Sequence, residues 1–263
     1  MEENKNIINP AFGEVGCRFR SNIESKLQDV DLEEANDIEW LVEPLNLISY
    51  PDDLVLDAFR KGDFFGWRYE LYLHERNASS IYEPFDHPVS EDILFDFDID
   101  EELPKPSPYK KSMLIKSLLN WASTSTVPKI WKDIAIPFTE LGIWQATLLE
   151  EAFTFLPKGW HGNYNNYDYI FSYQDMQNIV KQYRNNERMD ASEKEKLVSF
   201  LDRKDILPSV RIDGNEAIVC FYYWSKWSGL CRRIIPVSKH DESVTFGEMD
   251  REVLAEYDCG WRY

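Results

Sequence analysis

The segment ILFDFDIDEE, Ile93 to Glu102, holds the residues whose types and spacing come nearest to a reaction site. Asp96, Asp98 and Asp100 alternate with Phe95, Phe97 and Ile99, and Glu101 and Glu102 follow directly. Carboxylates can attack phosphorus, move protons or hold Mg²⁺, and each task needs oxygens that converge on one point. Alternating strand residues instead line one face, about 6 to 7 Å apart for every second residue. The pattern predicts an acidic strand face, which Glu83 or Asp86 would have to join before a metal could be held.

An apolar strand followed by Asp-x-Asp resembles the nucleophile motif of the haloacid-dehalogenase-type phosphatases. The resemblance implies Asp96 as nucleophile and Asp98 as the group that handles the leaving-group proton. It covers fewer than ten residues. Asp100 stands where that family has Thr or Val, and Glu101, Glu102 and Leu103 replace its glycine turn. A short motif outside its structural context identifies no enzyme, and a DxD metal site of glycosyltransferase type lacks converging partners in the same way.

Other reaction signatures are absent: the chain has no GxSxG, no P-loop and no GxGxxG. His74, His87, His161 and His240 show neither HExxH nor HxH spacing. Cys17, Cys220, Cys231 and Cys259 form no CxxC pair and read as reduced packing residues. The sequence nominates no catalytic residue, no cofactor and no metal ligand set.

Charge carries the strongest signal. The net charge is −18. Residues 1–104 hold 8 Lys+Arg against 26 Asp+Glu, and residues 105–263 hold 21 against 21, so the whole excess lies in the first two fifths. Such a field repels nucleic acid and anionic membrane and speeds encounter with a basic protein. Lys226, Arg232 and Arg233 beside Trp224 and Trp227 form a basic and aromatic cluster, but the long-range field opposes phosphate binding there. The hairpin tip around Trp224 and Trp227 reads better as a protein contact, or as a turn whose tryptophans fold back on the sheet. The N-terminal MEENKNIINP lacks an apolar leader core, and no apolar run reaches the roughly 18 residues of a membrane span, so a cytoplasmic location is expected.

These residues need elements to position them. Helical patterning runs through NIESKLQDVDLEEANDIEWLVEPL, with Ile23, Leu27, Val30 and Ala35 near helical spacing. PDDLVLDAFRKG predicts a second, short helix started by Pro51–Asp53 and stopped by Gly62. GWRYELYLHE, Gly66 to Glu75, alternates as a strand and is expected to share a sheet with ILFDFDID, placing Arg68 opposite an aspartate. LPKPSPYKK marks a boundary, and the helices SMLIKSLLNWA and FTELGIWQATLLEEAFTFL follow, with Trp121, Trp131 and Trp144 as packing residues. KGWHGNYNNYDYIFSYQDM, from Lys158, reads as a turn-rich loop displaying aromatic and amide groups. Two helices come next, one starting near Ser172 and Asp175, the other capped by Asp190 to Glu193.

The last third predicts an antiparallel meander: an Asp213-Gly214 turn, a strand from Glu216 to Trp224, a SKWSG turn and a return from Leu230 to Val237. A short helix is expected over Met249–Tyr257. The fold class is therefore α+β, with antiparallel sheet or sheets packed against several helices and a C-terminal β-meander. Residues 1–104 form an acidic N-terminal lobe and 105–263 a neutral helical and meander lobe of one compact unit. The functional expectation is a cytosolic protein-binding module, in its sharpest form an immunity-type inhibitor that occludes a cationic toxin or enzyme. Its expected partner-binding residues are Asp96, Asp98, Asp100, Glu101, Glu102, Trp224 and Trp227. The alternative is a hydrolase or transferase with a carboxylate metal site.

Overall fold

The computed structural model describes residues 9–26, 38–63, 66–76, 131, 133–152 and 167–260. ILFDFDIDEE, SMLIKSLLNWA, Trp121, His161 and the linker LPKPSPYKK lie outside them. The fold is α+β, built on a six-stranded antiparallel sheet with helices on both faces.

Helix α1 spans Pro10–Lys26 and so begins well before the helical stretch read from the sequence. Asn9 starts it: its side-chain oxygen accepts from the Ala11 N–H at 3.1 Å, and Pro10 opens the first turn without needing a donor. Phe12, Val15, Phe19 and Ile23 form its buried stripe. Gly16 lets this helix approach closely, since a Cβ there would stand 2.7 Å from the Phe171 ring.

The segment predicted as a short helix is a strand. β1 (Leu54–Asp63) pairs antiparallel with β2 (Gly66–Glu75), in register from Leu54 opposite Glu75 to Asp63 opposite Gly66. Pro51–Asp53 make a turn rather than a helix start, closed by the Leu54 N–H donating to the Pro51 carbonyl at 3.0 Å. The strand reading of β2 holds, but the residue opposite Arg68 in this hairpin is Lys61.

Helix α2 (Glu140–Glu150) is capped by Thr139, and every residue from Gly142 to Leu149 is buried. Its polar groups are matched inside the core: Trp144 Nε1 donates to the Phe12 carbonyl at 2.9 Å, and Gln145 Oε1 accepts from the Leu47 N–H at 2.8 Å. Trp131 and Trp144 are packing residues as expected; Trp131 lies 5.0 Å from the Phe246 ring and Trp144 is 1% exposed.

The end of the predicted aromatic loop is strand β3 (Tyr167–Ile170), which leads into α3 (Tyr173–Tyr183) through a capping box of Ser172 and Asp175. Arg20 ties α1 to this corner, donating to Asp175 at 2.8 Å and to the Tyr169 carbonyl at 3.1 Å. Helix α4 (Ala191–Ser199) is capped by Asp190, as read.

The meander follows as β4 (Ser209–Asp213), β5 (Glu216–Ser225), β6 (Gly229–His240) and β7 (Ser243–Phe246). The predicted helix at Met249–Tyr257 is instead strand β8 (Asp250–Ala255), paired with the Leu230–Ile234 part of β6. Pairing decides this case: without β8, that stretch of β6 would have no backbone partner on the side away from β5. β3 and β4 lie beside β5, and β7 and β8 beside β6.

Both faces of β5 are covered. Val219, Phe221 and Tyr223 meet α1 and α2 in one core, which also takes Leu41 and Leu56 from before the predicted 104/105 boundary and Ile134 from after it. Tyr222 and Trp224 meet α3, α4 and Tyr257 in a second core. Residues 133–136 bridge the halves, with Ala135 paired to Ser49 and the Ile136 N–H donating to the Glu242 carbonyl at 2.8 Å. No helix among the described residues is long and apolar enough to cross a membrane.

Candidate functional site

Of the residues expected to meet a partner, Asp96, Asp98, Asp100, Glu101 and Glu102 lie outside the described residues. Trp224 and Trp227, three positions apart, are placed differently. Trp224 is 0% exposed, with ring centroids of Tyr183 and Tyr257 at 4.3 and 5.4 Å. Its strand position turns it into the second core, so a partner could reach it only through that aromatic layer. Trp227 stands in the β5–β6 turn, half-buried, and lines a groove of about 390 Å³ with Arg188, Asp190, Glu193, Ser228, Val253, Glu256, Tyr257 and Asp258.

Local sequence explains how this groove is held. Gly229 has φ +87° and no room for a side chain, because a Cβ would stand 2.0 Å from the Ala255 carbonyl oxygen. That close approach brings the residues after β8 against the turn, where the Tyr257 and Cys259 N–H groups donate to the Ser228 and Lys226 carbonyls at 3.4 and 3.0 Å. Glu193 then joins α4 to this segment, accepting from the Glu256 N–H at 2.7 Å.

Carboxylates dominate the groove. The Glu193 N–H, with help from Ser192, holds the Asp190 carboxyl below its ordinary pKa. Lys196 does the same for Glu193 against the opposing effect of desolvation. Both stay ionised at neutral pH. Asp190, Glu193, Glu256 and Asp258 face one lining cation, Arg188. Aromatic surface beneath a negative rim suits a cationic side chain. Sequence reading found Trp227 by its turn, but missed Val253, Glu256 and Tyr257 because it took their segment for a helix, and with them Asp258, which directly follows.

A second cleft, of about 650 Å³, lies where Ser49–Pro51, Asp133–Ala135 and the β6–β7 turn meet. It brings His240, Asp241 and Ser243 together, the residue types of a nucleophilic triad. The geometry is not that of one. Ser243 donates its hydroxyl to the Trp131 carbonyl, and His240 Nδ1 stands 3.6 Å from an Asp241 carboxylate that is 92% exposed.

The third polar cluster is buried. Arg233 pairs with Glu151, which also accepts from the Tyr169 hydroxyl at 2.6 Å. The guanidinium lies 4.9 Å from the Tyr223 centroid and 5.4 Å from that of Tyr167. Burial opposes the Arg233 charge, but Glu151 and the surrounding tyrosines outweigh it and hold the pKa above the ordinary arginine value. Among the described residues no group of three or more His, Cys, Asp or Glu side chains could hold a metal ion. No protein family, no curated protein and no solved structure matches the chain.

Proposed function

We propose that this chain is a cytoplasmic protein-binding module that docks a basic protein, in its sharpest form an immunity-type inhibitor that occludes a cationic toxin or enzyme. The observation that carries this reading is the charge layout: the whole excess of −18 falls in residues 1–104. An acidic surface of this kind steers a cationic partner into contact and holds it by carboxylates that stand in for the phosphates of a nucleic-acid substrate. Inhibition then requires no chemistry from this chain, only coverage of the partner's site.

The test is affinity capture from native lysate, followed by titration of the recovered partner against salt. A basic partner whose affinity falls as salt rises is expected. Joint replacement of Asp96, Asp98, Asp100, Glu101 and Glu102 by their amides weakens binding by roughly tenfold or more at low salt, and by less at high salt. Unchanged affinity in that variant at both salt levels would remove the acidic segment from the interface.

A further inference from the structure

We infer that the outer edge of β8 and the Trp227 groove together form a docking surface for an extended, cationic segment of another protein. Met249 and Val253 are 44% and 38% exposed, two of the four large hydrophobic residues that stand so open among the described residues. Val253 lies on β8, and Met249 directly precedes that strand. β8 pairs with β6, and no other described strand pairs with it, so its outer side offers a row of backbone donors and acceptors. At the end of that edge the groove opens, with Trp227 and Tyr257 in its lining and Asp190 and Glu256 among its acids.

An apolar centre beside a charged rim is the usual anatomy of a protein contact. An open strand edge adds main-chain hydrogen bonds to a peptide laid along it. The charges choose the occupant. A second copy of this chain would bring Asp250, Arg251 and a Glu252 already paired with Arg232, and so no excess of cations for the acidic groove, in a molecule already at −18. A strand carrying Arg or Lys on alternate positions brings cations to the groove, where Asp190, Glu193, Glu256 and Asp258 face the one lining cation Arg188, and can lay an aliphatic stem or guanidinium against Trp227.

The surface lies wholly within residues 188–258, so changing it leaves the acidic segment 1–104 intact and the two readings can fail separately. The experiment uses the full chain and a fluorescein-labelled peptide of about six residues alternating Arg and Val, as an extended segment of this kind requires. Fluorescence anisotropy gives its affinity, and backbone NMR gives the amides that move. Binding is expected with shifts at Asp250–Val253, and it weakens roughly tenfold in Trp227→Ala and in Glu256→Lys. Val253→Lys, at an exposed position, weakens it without disturbing the core and decides the matter should Trp227→Ala fail to fold. The inference is overturned if these variants bind as the parent does, if the shifts fall elsewhere, or if a lysine homopeptide of equal charge binds as tightly.

Discussion

The two faces of the six-stranded sheet bury comparable aromatic layers, but among the described residues only one of them encloses a charge pair. On the face toward α1 and α2, Arg233 and Glu151 are buried at 6% and 2% exposure among Tyr167, Tyr169, Phe221 and Tyr223. On the face toward α3 and α4, Trp224, Tyr183 and Tyr257 stack with Met176, Leu197 and Leu230, and the carboxylate of Glu193 stays at the rim with Lys196. The first face therefore depends on a matched pair of polar partners, and the second on filled volume. Desolvated charges are tolerated where an opposite charge and hydrogen bonds meet them, and are costly when one partner is removed.

That difference can be broken from either side. Arg233→Met leaves the Glu151 carboxylate buried with its counter-charge gone, and is expected to cost about 3–5 kcal/mol of unfolding free energy in urea titrations. Adding Glu151→Leu restores most of that loss, because the orphaned charge leaves with its partner. Trp224→Ala on the other face is expected to cost a similar amount, about 3–5 kcal/mol, through the cavity it opens. No polar change elsewhere repairs it. Finding that Glu151→Leu fails to rescue Arg233→Met would mean that the pair matters through its packing.

Alkali tests both faces at once. Adjacent residues of β5 point to opposite sides, so Tyr222 lies in one core and Tyr223 in the other. Burial pushes the hydroxyls of both up to about 12 from the ordinary 10. A pKa raised in the folded state favours folding below the unfolded value, and that contribution is lost as pH rises from about 10 towards 12. Stability measured by denaturant titration should fall across this window. Tyr222→Phe and Tyr223→Phe should each flatten the fall, and each reports on its own face.

The same strand shows how far the sequence could be read. The β5–β6 hairpin was legible because Asp213-Gly214 and the SKWSG turn bracket a β-rich run, and Gly214 and Gly229 do take positive φ. The Ser172–Asp175 capping box was legible because its geometry is local. β1 and β8 were misread for the opposite reason. Pro51–Asp53 suit a turn as well as a helix start, and the Glu, Leu and Ala of β8 favour a helix until the open side of β6 claims them. The start of α1 was marked by Asn9-Pro10 and passed over. For the groove, Trp227 was visible as a turn aromatic, but Trp224 could not be separated from it, because β5 is buried on both faces and alternation gives no sign of which side is wet.

Smaller effects sharpen the second face at its rim. Asp190 caps α4 by accepting from the Glu193 N–H at 2.9 Å, and Asp190→Ala is expected to lower the urea midpoint. Asp190→Asn retains the acceptor and should lose much less. Glu193 links that cap to the end of β8 through the Glu256 N–H and pairs with Lys196, whose hydrogen bond is the main reason its carboxyl titrates below the ordinary 4.5. A folded-state pKa lowered in this way stabilises the fold above the ordinary carboxylate range, and the contribution disappears as pH falls through the lowered value. Lys196 is half exposed, so solvent screens much of the pair and the slope is shallow. Acid titration of Glu193→Gln should therefore show a slightly flatter loss of stability below about pH 4.5 than the parent, with the two curves offset by a constant above it. Coincident acid limbs would place the acid sensitivity of this face in carboxylates other than Glu193.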